Sequence, residues 1–166
     1  MEFMREYQAL VHMTKITDND MPSVAELDEN KHSVYYLPHH SVLKEASLTT
    51  KLRAVFDACA KSETGLSLND NNLLTSPTIQ DDLFSILVRY RKHTYVITAD
   101  IAKMYRQILV TEEQRDMQRI LWLVAPDQEL QDYKLNTLMY GTSPASFIAT
   151  CCLHELAFQN QTKFPK

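Results

Sequence analysis

Glycine is scarce in this chain of 166 residues: only Gly65 and Gly141 occur. That excludes both standard glycine-rich phosphate loops. It also marks each of the two as a place where the backbone has a special need. Cysteine is almost as rare. Cys59, Cys151 and Cys152 are an odd set, two of them adjacent and a poor pair for an ordinary disulfide. No Cys/His spacing of the zinc type is present, so free thiols in a reducing, cytoplasmic setting are expected. No apolar run approaches the roughly 18 residues of a membrane span, and no signal peptide is visible at the N-terminus. A soluble intracellular chain without membrane contact is therefore the expectation.

Charge of one sign is not in large excess. The net charge is −4 and the sequence pI near 5.8, a weak argument against a nucleic-acid module, which is usually basic. The positive charge is uneven, however. Arg89, Arg91, Lys92, Lys103 and Arg106 fall in one stretch, while acids dominate 18–30 and 127–132. A basic groove on an acidic whole fits this pattern; a solvated helix end followed by a turn fits it equally well for the first three. The remaining composition, 45% hydrophobic and 23% charged, is that of a globular chain long enough to bury a core.

Apolar spacing predicts a helix over 1–13, with Phe3, Tyr7 and Leu10 on one stripe, then an acidic loop through 32. Two short strands broken at Pro38 are expected over 33–45, and a further strand over 51–58. The stretch 61–76 reads as irregular. Ser76 as N-cap, Pro77 at the first helical position and the acids Asp81 and Asp82 predict a helix whose apolar face carries Ile79, Leu83, Ile86, Leu87 and Tyr90. A strand follows over 94–101. Thr111-Glu112-Glu113-Gln114 resembles a capping box opening a short helix. Residues 117–140 read as a hairpin turning at Pro126-Asp127, and Pro144 opens a last helix through about Asn160. This order predicts an α+β fold, with helices packed on a largely antiparallel sheet.

The strand over 94–101 ends on a carboxylate. Alternation puts Val96, Thr98 and Asp100 on one face, and Asp100 is followed by Tyr105, Arg106 and Gln107. A carboxylate at a strand end is a natural ligand for a hard cation such as magnesium, and the neighbouring carbonyl of Ile101 offers a second oxygen. A turn cap or an ion pair with Lys103 or Arg106 accounts for the same residues without a metal.

The words "KLRAVFDA", "SLND", "TIQDDL", "ITADIAKMYRQI", "QRILW" and "LNTLMYGTSPASF" occur in this order. Together they resemble the reverse transcriptase domain of BEL/Pao-type LTR retrotransposon polyproteins, over nearly the whole chain. The resemblance implies an RNA-directed DNA polymerase, a magnesium-dependent nucleotidyltransferase with fingers, palm and thumb. It implies an N-terminal helix and linker over 1–32, then fingers and partial palm over 33–166. It further implies that Asp100 and the Ile101 carbonyl bind metal, with Asp100 catalytic. Lys51 and Arg53 would contact the incoming triphosphate, Tyr105 would be the steric gate against a 2′-hydroxyl, and Gly141 would lie against template or nucleotide. The implied partners are an RNA/DNA primer-template and deoxynucleoside triphosphates.

Two features depart from that family. The run "GTSPASF" has Ser146 where proline is usual, and a proline at 144 instead. No Tyr-x-Asp-Asp hairpin occurs in the sequence, although two-metal chemistry needs several carboxylates around ions about 3.5–4 Å apart. Asp57 belongs to a predicted strand and Asp81 and Asp82 to a helix start, so none replaces it. The expectation is a polymerase fragment without activity of its own. The alternative is an inactive retroelement remnant serving as a nucleic-acid or protein interaction module. Self-association through an exposed sheet edge is expected of either.

Overall fold

The computed structural model describes residues 2–17, 34–43, 45, 52–71 and 77–164. Helix α1 (Glu2–Ala9) buries Met4 and Tyr7, one turn apart on the same face. It stops four residues short of the expected end, and the reason is local. The His12 N–H bonds the Tyr7 carbonyl and the Val11 N–H bonds that of Gln8, which is a Schellman closure. Val11 holds the left-handed position of that motif, at φ 56°, where glycine is usual. The chain can then reverse at once into strand β1 (Met13–Lys15), placed where a loop was expected.

Strands β4 (Arg119–Trp122) and β5 (Gln131–Leu135) form the predicted hairpin, with Ile120 opposite Tyr133. β1 pairs antiparallel on the other side of β5, with Met13 opposite Leu135, giving the order β1-β5-β4. The free side of β4 is taken by Tyr35–Leu37: the Arg119 N–H bonds the Tyr35 carbonyl and the Leu37 N–H the Arg119 carbonyl. That segment was expected as a strand and makes a single parallel bridge, Tyr36 to Arg119. After Pro38, β2 (His39–Leu43) and β3 (Leu52–Phe56) form a second, two-stranded antiparallel sheet. The fold is thus mixed α+β with antiparallel ladders.

One core joins both sheets. Tyr133, Ile120 and Leu135 from β4 and β5 meet Phe56 and Ala54 of β3, Met4 and Tyr7 of α1, and Leu68 of the four-residue helix α2 (Leu68–Asn71). A smaller cluster forms where helix α4 (Ala145–Gln159) lays Ala145 and Ala149 against Leu138 and the 3-10 turn Met104–Gln107. The end of α4 matches the sequence expectation to within a residue. All three cysteines are free thiols.

Three expectations fail for identifiable reasons. Helix α3 (Leu83–Tyr90) starts later than Pro77, because Asp82 takes the N-cap: its carboxylate accepts from the Ser85 N–H at 2.9 Å and the Ser85 hydroxyl at 2.5 Å. Ser76 lies outside the described residues. The short helix expected after Thr111 forms as a 3-10 helix over Glu112–Gln118 with Thr111 at its N-cap, but the capping-box bonds do not, since Thr111 makes no side-chain cap bond. Most consequential, residues 95–101 form no strand and are exposed throughout. Alternation alone does not make a strand, since the backbone N–H and C=O groups need a neighbouring ladder. Here β5 is paired on both sides and β4 is flanked by Tyr35–Leu37.

Candidate functional site

The residues named from the sequence arrive by separate routes. β3 alternates Leu52, Ala54 and Phe56 toward the core and leaves Arg53 exposed on the opposite face. Lys51 lies outside the described residues. Beyond β5 the chain runs on through Leu138 and Met139, both buried, to Tyr140, whose hydroxyl donates to the Ala54 carbonyl of β3. That bond ties the end of the hairpin to the second sheet.

Gly141 follows at φ +95°, a conformation few side chains tolerate. A Cβ there would stand 3.4 Å from the Phe56 carbonyl oxygen of β3. The turn is held from outside by Asn69: its amide nitrogen donates to the Gly141 carbonyl at 2.9 Å, and its amide oxygen accepts from the Ser143 N–H at 2.8 Å. Asn69 had no role in the sequence reading. A signal was present, because Ser67-Leu68-Asn69-Asp70 is a capping box. Ser67 and Asp70 exchange N–H bonds at 3.2 Å and so fix the short helix that presents Asn69.

Tyr105, in the 3-10 turn, is half-buried against Leu138, Ala145 and Ala149. Its ring meets Tyr140 edge-on at 6.5 Å between centroids, and its hydroxyl lies 3.4 Å from the Ser146 hydroxyl. Arg106, from the same turn, stacks over the Tyr7 ring, 4.9 Å from its centre. Burial raises the pKa of the Tyr140 phenol, while the positive charges of Arg106 and Arg53 oppose the rise. Burial likewise pushes Tyr7 up to about 12, again against Arg106. Three segments thus converge: Arg53 from β3, Tyr105 and Arg106 from the 3-10 turn, and Tyr140-Gly141 from the end of the hairpin.

Asp100 and Ile101 are exposed on the loop that leads into this face. Asp100 makes no hydrogen bond or ion pair among the described residues. The loop is anchored just beyond it, where Lys103 adopts φ 54° and pairs with Glu6 of α1. No group of three or more His, Cys, Asp or Glu residues set to hold a metal occurs among the described residues. Three other acids are engaged elsewhere: Asp57 accepts from the Cys59 N–H, Asp81 pairs with Arg89, and Asp82 caps α3. One exposed carboxylate and one carbonyl do not fit a two-metal centre, which requires several oxygens around both ions.

His12, beside this face, reports its field. Burial first, then the charges of Arg106 and Lys103, lower its pKa from the ordinary 6.5, with Glu6 opposing. The folded state therefore holds the proton less tightly than the unfolded chain. The associated stability is present above about 6.5 and is lost as the pH falls through the folded-state value. In an NMR titration the His12 ring is expected to titrate below 6.5, and Arg106→Gln is expected to move it upward. An unshifted His12 would show that the cationic face is not as described.

Comparison with models of known protein families gives no match, and comparison with curated proteins gives no significant match. No helix among the described residues is long and apolar enough to cross a membrane.

Proposed function

We propose that this chain is built like the fingers and partial palm of a reverse transcriptase. On this reading it binds the phosphates of nucleic acid or nucleotide weakly and does not polymerise by itself. The observation that carries this reading is the convergence of Arg53, Arg106, Tyr105, Tyr140 and Gly141 from separated segments. Arginine suits phosphate because its guanidinium makes forked, charge-assisted hydrogen bonds. Aromatic rings beside it offer a surface for a sugar or base. Magnesium belongs to the reading only as a companion of bound phosphates, with Asp100 and the Ile101 carbonyl as its protein oxygens.

Binding of this kind is electrostatic and carries no base information, so its affinity falls steeply with salt and depends little on sequence. The net charge of −4 opposes it, and the expected dissociation constant is micromolar or weaker. Fluorescence anisotropy with a short labelled primer-template at two salt concentrations tests the proposal. Arg53→Glu is expected to weaken binding several-fold and to lower the salt slope by about one. Asp100→Asn is expected to leave binding unchanged or slightly improved, because a carboxylate without a metal repels phosphate. Equal binding by the native chain and Arg53→Glu would remove Arg53 from the site. No binding at low salt would leave the second reading, an interaction module for protein, which the uncovered apolar surface of α3 favours.

A further inference from the structure

Helix α4 carries two adjacent thiols outside the phosphate-binding face. Cys151 and Cys152 are free, the first half-buried and the second exposed. On a helix, residues four apart are neighbours. Cys151, Glu155 and Gln159 therefore form one row along α4, and Cys152 and Leu156 the row beside it. An open groove of about 370 Å³ is lined by these five side chains, so both thiols border one space. The two sulfurs do not satisfy each other. Consecutive Cα atoms stand about 3.8 Å apart, short of the roughly 4.4–6.8 Å of an ordinary disulfide. Cys59 differs: its Sγ accepts from the Asn69 amide. Neither Cys151 nor Cys152 has a side-chain hydrogen bond among the described residues.

The donor set selects the ligand. A thiolate is the form of cysteine that binds metal, and thiolates are soft donors that favour monovalent copper and zinc. Zinc needs three protein ligands at a catalytic site and four at a structural one. No group of three or more His, Cys, Asp or Glu residues is set to hold a metal among the described residues. Glu155 does not complete one. Its carboxylate is a hard donor, and Oε1 already accepts from the Gln159 Nε2 at 2.8 Å. We propose that Cys151 and Cys152 form a binding site for a single soft, monovalent metal ion of the copper(I) kind, held between the two sulfurs. The ion arrives monovalent, so no electron moves. Each thiol gives its proton to water, and each sulfur makes one bond to the metal. Leu156 forms an apolar wall of the groove and limits the access of water to the ion. The groove lies on the later half of α4, whereas Ala145 and Ala149 in the first half pack toward the 3-10 turn. The site therefore shares no residue with the phosphate-binding face and does not rest on the polymerase reading.

Competition for copper(I) against the coloured bicinchoninate complex tests the proposal, with the full chain reduced and oxygen excluded. The native chain is expected to withdraw one copper ion per chain. Cys151→Ser and Cys152→Ser are each expected to lose that binding with unchanged circular dichroism, and Cys59→Ser is expected to keep it. Zinc offered with a coloured indicator is expected to stay with the indicator, because two thiolates leave its coordination incomplete. A second measurement needs no variant. Iodoacetamide labelling of the native chain, read by mass spectrometry, is expected to find Cys151 and Cys152 protected by copper(I) and Cys59 still reactive. A native chain that withdraws no copper overturns the proposal, as does full binding by either single serine variant. Protection of Cys59 to the same degree overturns it, and so does zinc held as tightly as copper(I). Sedimentation showing that copper(I) joins two chains would also overturn it, since the ion would then lie between copies and not between neighbouring residues.

Discussion

The purified 166-residue chain is expected to incorporate no deoxynucleotide onto a primed RNA or DNA template, with magnesium or with manganese. The reasoning starts from charge. Phosphoryl transfer gathers negative charge on the attacking, leaving and equatorial oxygens, and two cations held by several carboxylates stabilise it. Asp100 lies on an exposed loop without a partner among the described residues, and Asp57, Asp81 and Asp82 are committed to other bonds. Each 1.36 kcal/mol of lost transition-state stabilisation is about tenfold in rate. Loss of a metal position costs several kcal/mol and removes activity from view. Primer extension resolved on a gel, with Asp100→Ala alongside, is the measurement. Metal-dependent extension that disappears in Asp100→Ala would refute the expectation and show that Asp100 finds partners on binding substrate.

Gly141→Val is expected to destabilise the fold by about 1–3 kcal/mol and to weaken phosphate binding with it. The cost is backbone strain, which a β-branched residue pays at φ +95°. An added Cβ would stand 3.4 Å from the Phe56 carbonyl oxygen of β3, an ordinary contact that asks for no movement. Relief of the strain loosens the turn held by the Asn69 bonds to Gly141 and Ser143 and by the Tyr140 hydroxyl bond to Ala54. Gly65→Val is the comparison: its φ is +81°, and an added Cβ meets nothing within 4 Å. Urea melts are expected to show similar losses for the two variants. A much larger loss at Gly141 would show that the approach to β3 adds a cost of its own.

Certain elements were determined by short-range physics and could be read directly. The hairpin β4–β5 and the helix α4 each carry their own signals, alternation around Pro126-Asp127 and a proline just before a long apolar-rich run. Their backbone bonds are made within the element or with its immediate neighbour, so sequence suffices. The special need at Gly141 was legible for the same reason, because so few glycines mark so few positions. Free thiols at Cys59, Cys151 and Cys152 followed from count and spacing.

Other features depend on what lies alongside in space. The run over 94–101 carries strand-forming residues, yet it forms no strand, because a strand exists only where a neighbour accepts its ladder. The reverse holds for Met13–Lys15, which pairs with Leu135–Tyr133 because the Schellman turn after α1 aims it there. The convergence of Arg53, Tyr105, Tyr140 and Gly141 spans almost ninety residues, and no local signal encodes it. The Asn69 clamp and the stacking of Arg106 on Tyr7 are of the same kind. The sequence by itself determined the α+β class, the hairpin and the last helix. Only the tertiary structure decided that Asp100 stands apart on a loop and that the apolar face of α3 is uncovered. Both turn on which surfaces meet, and long-range packing settles that where periodicity cannot.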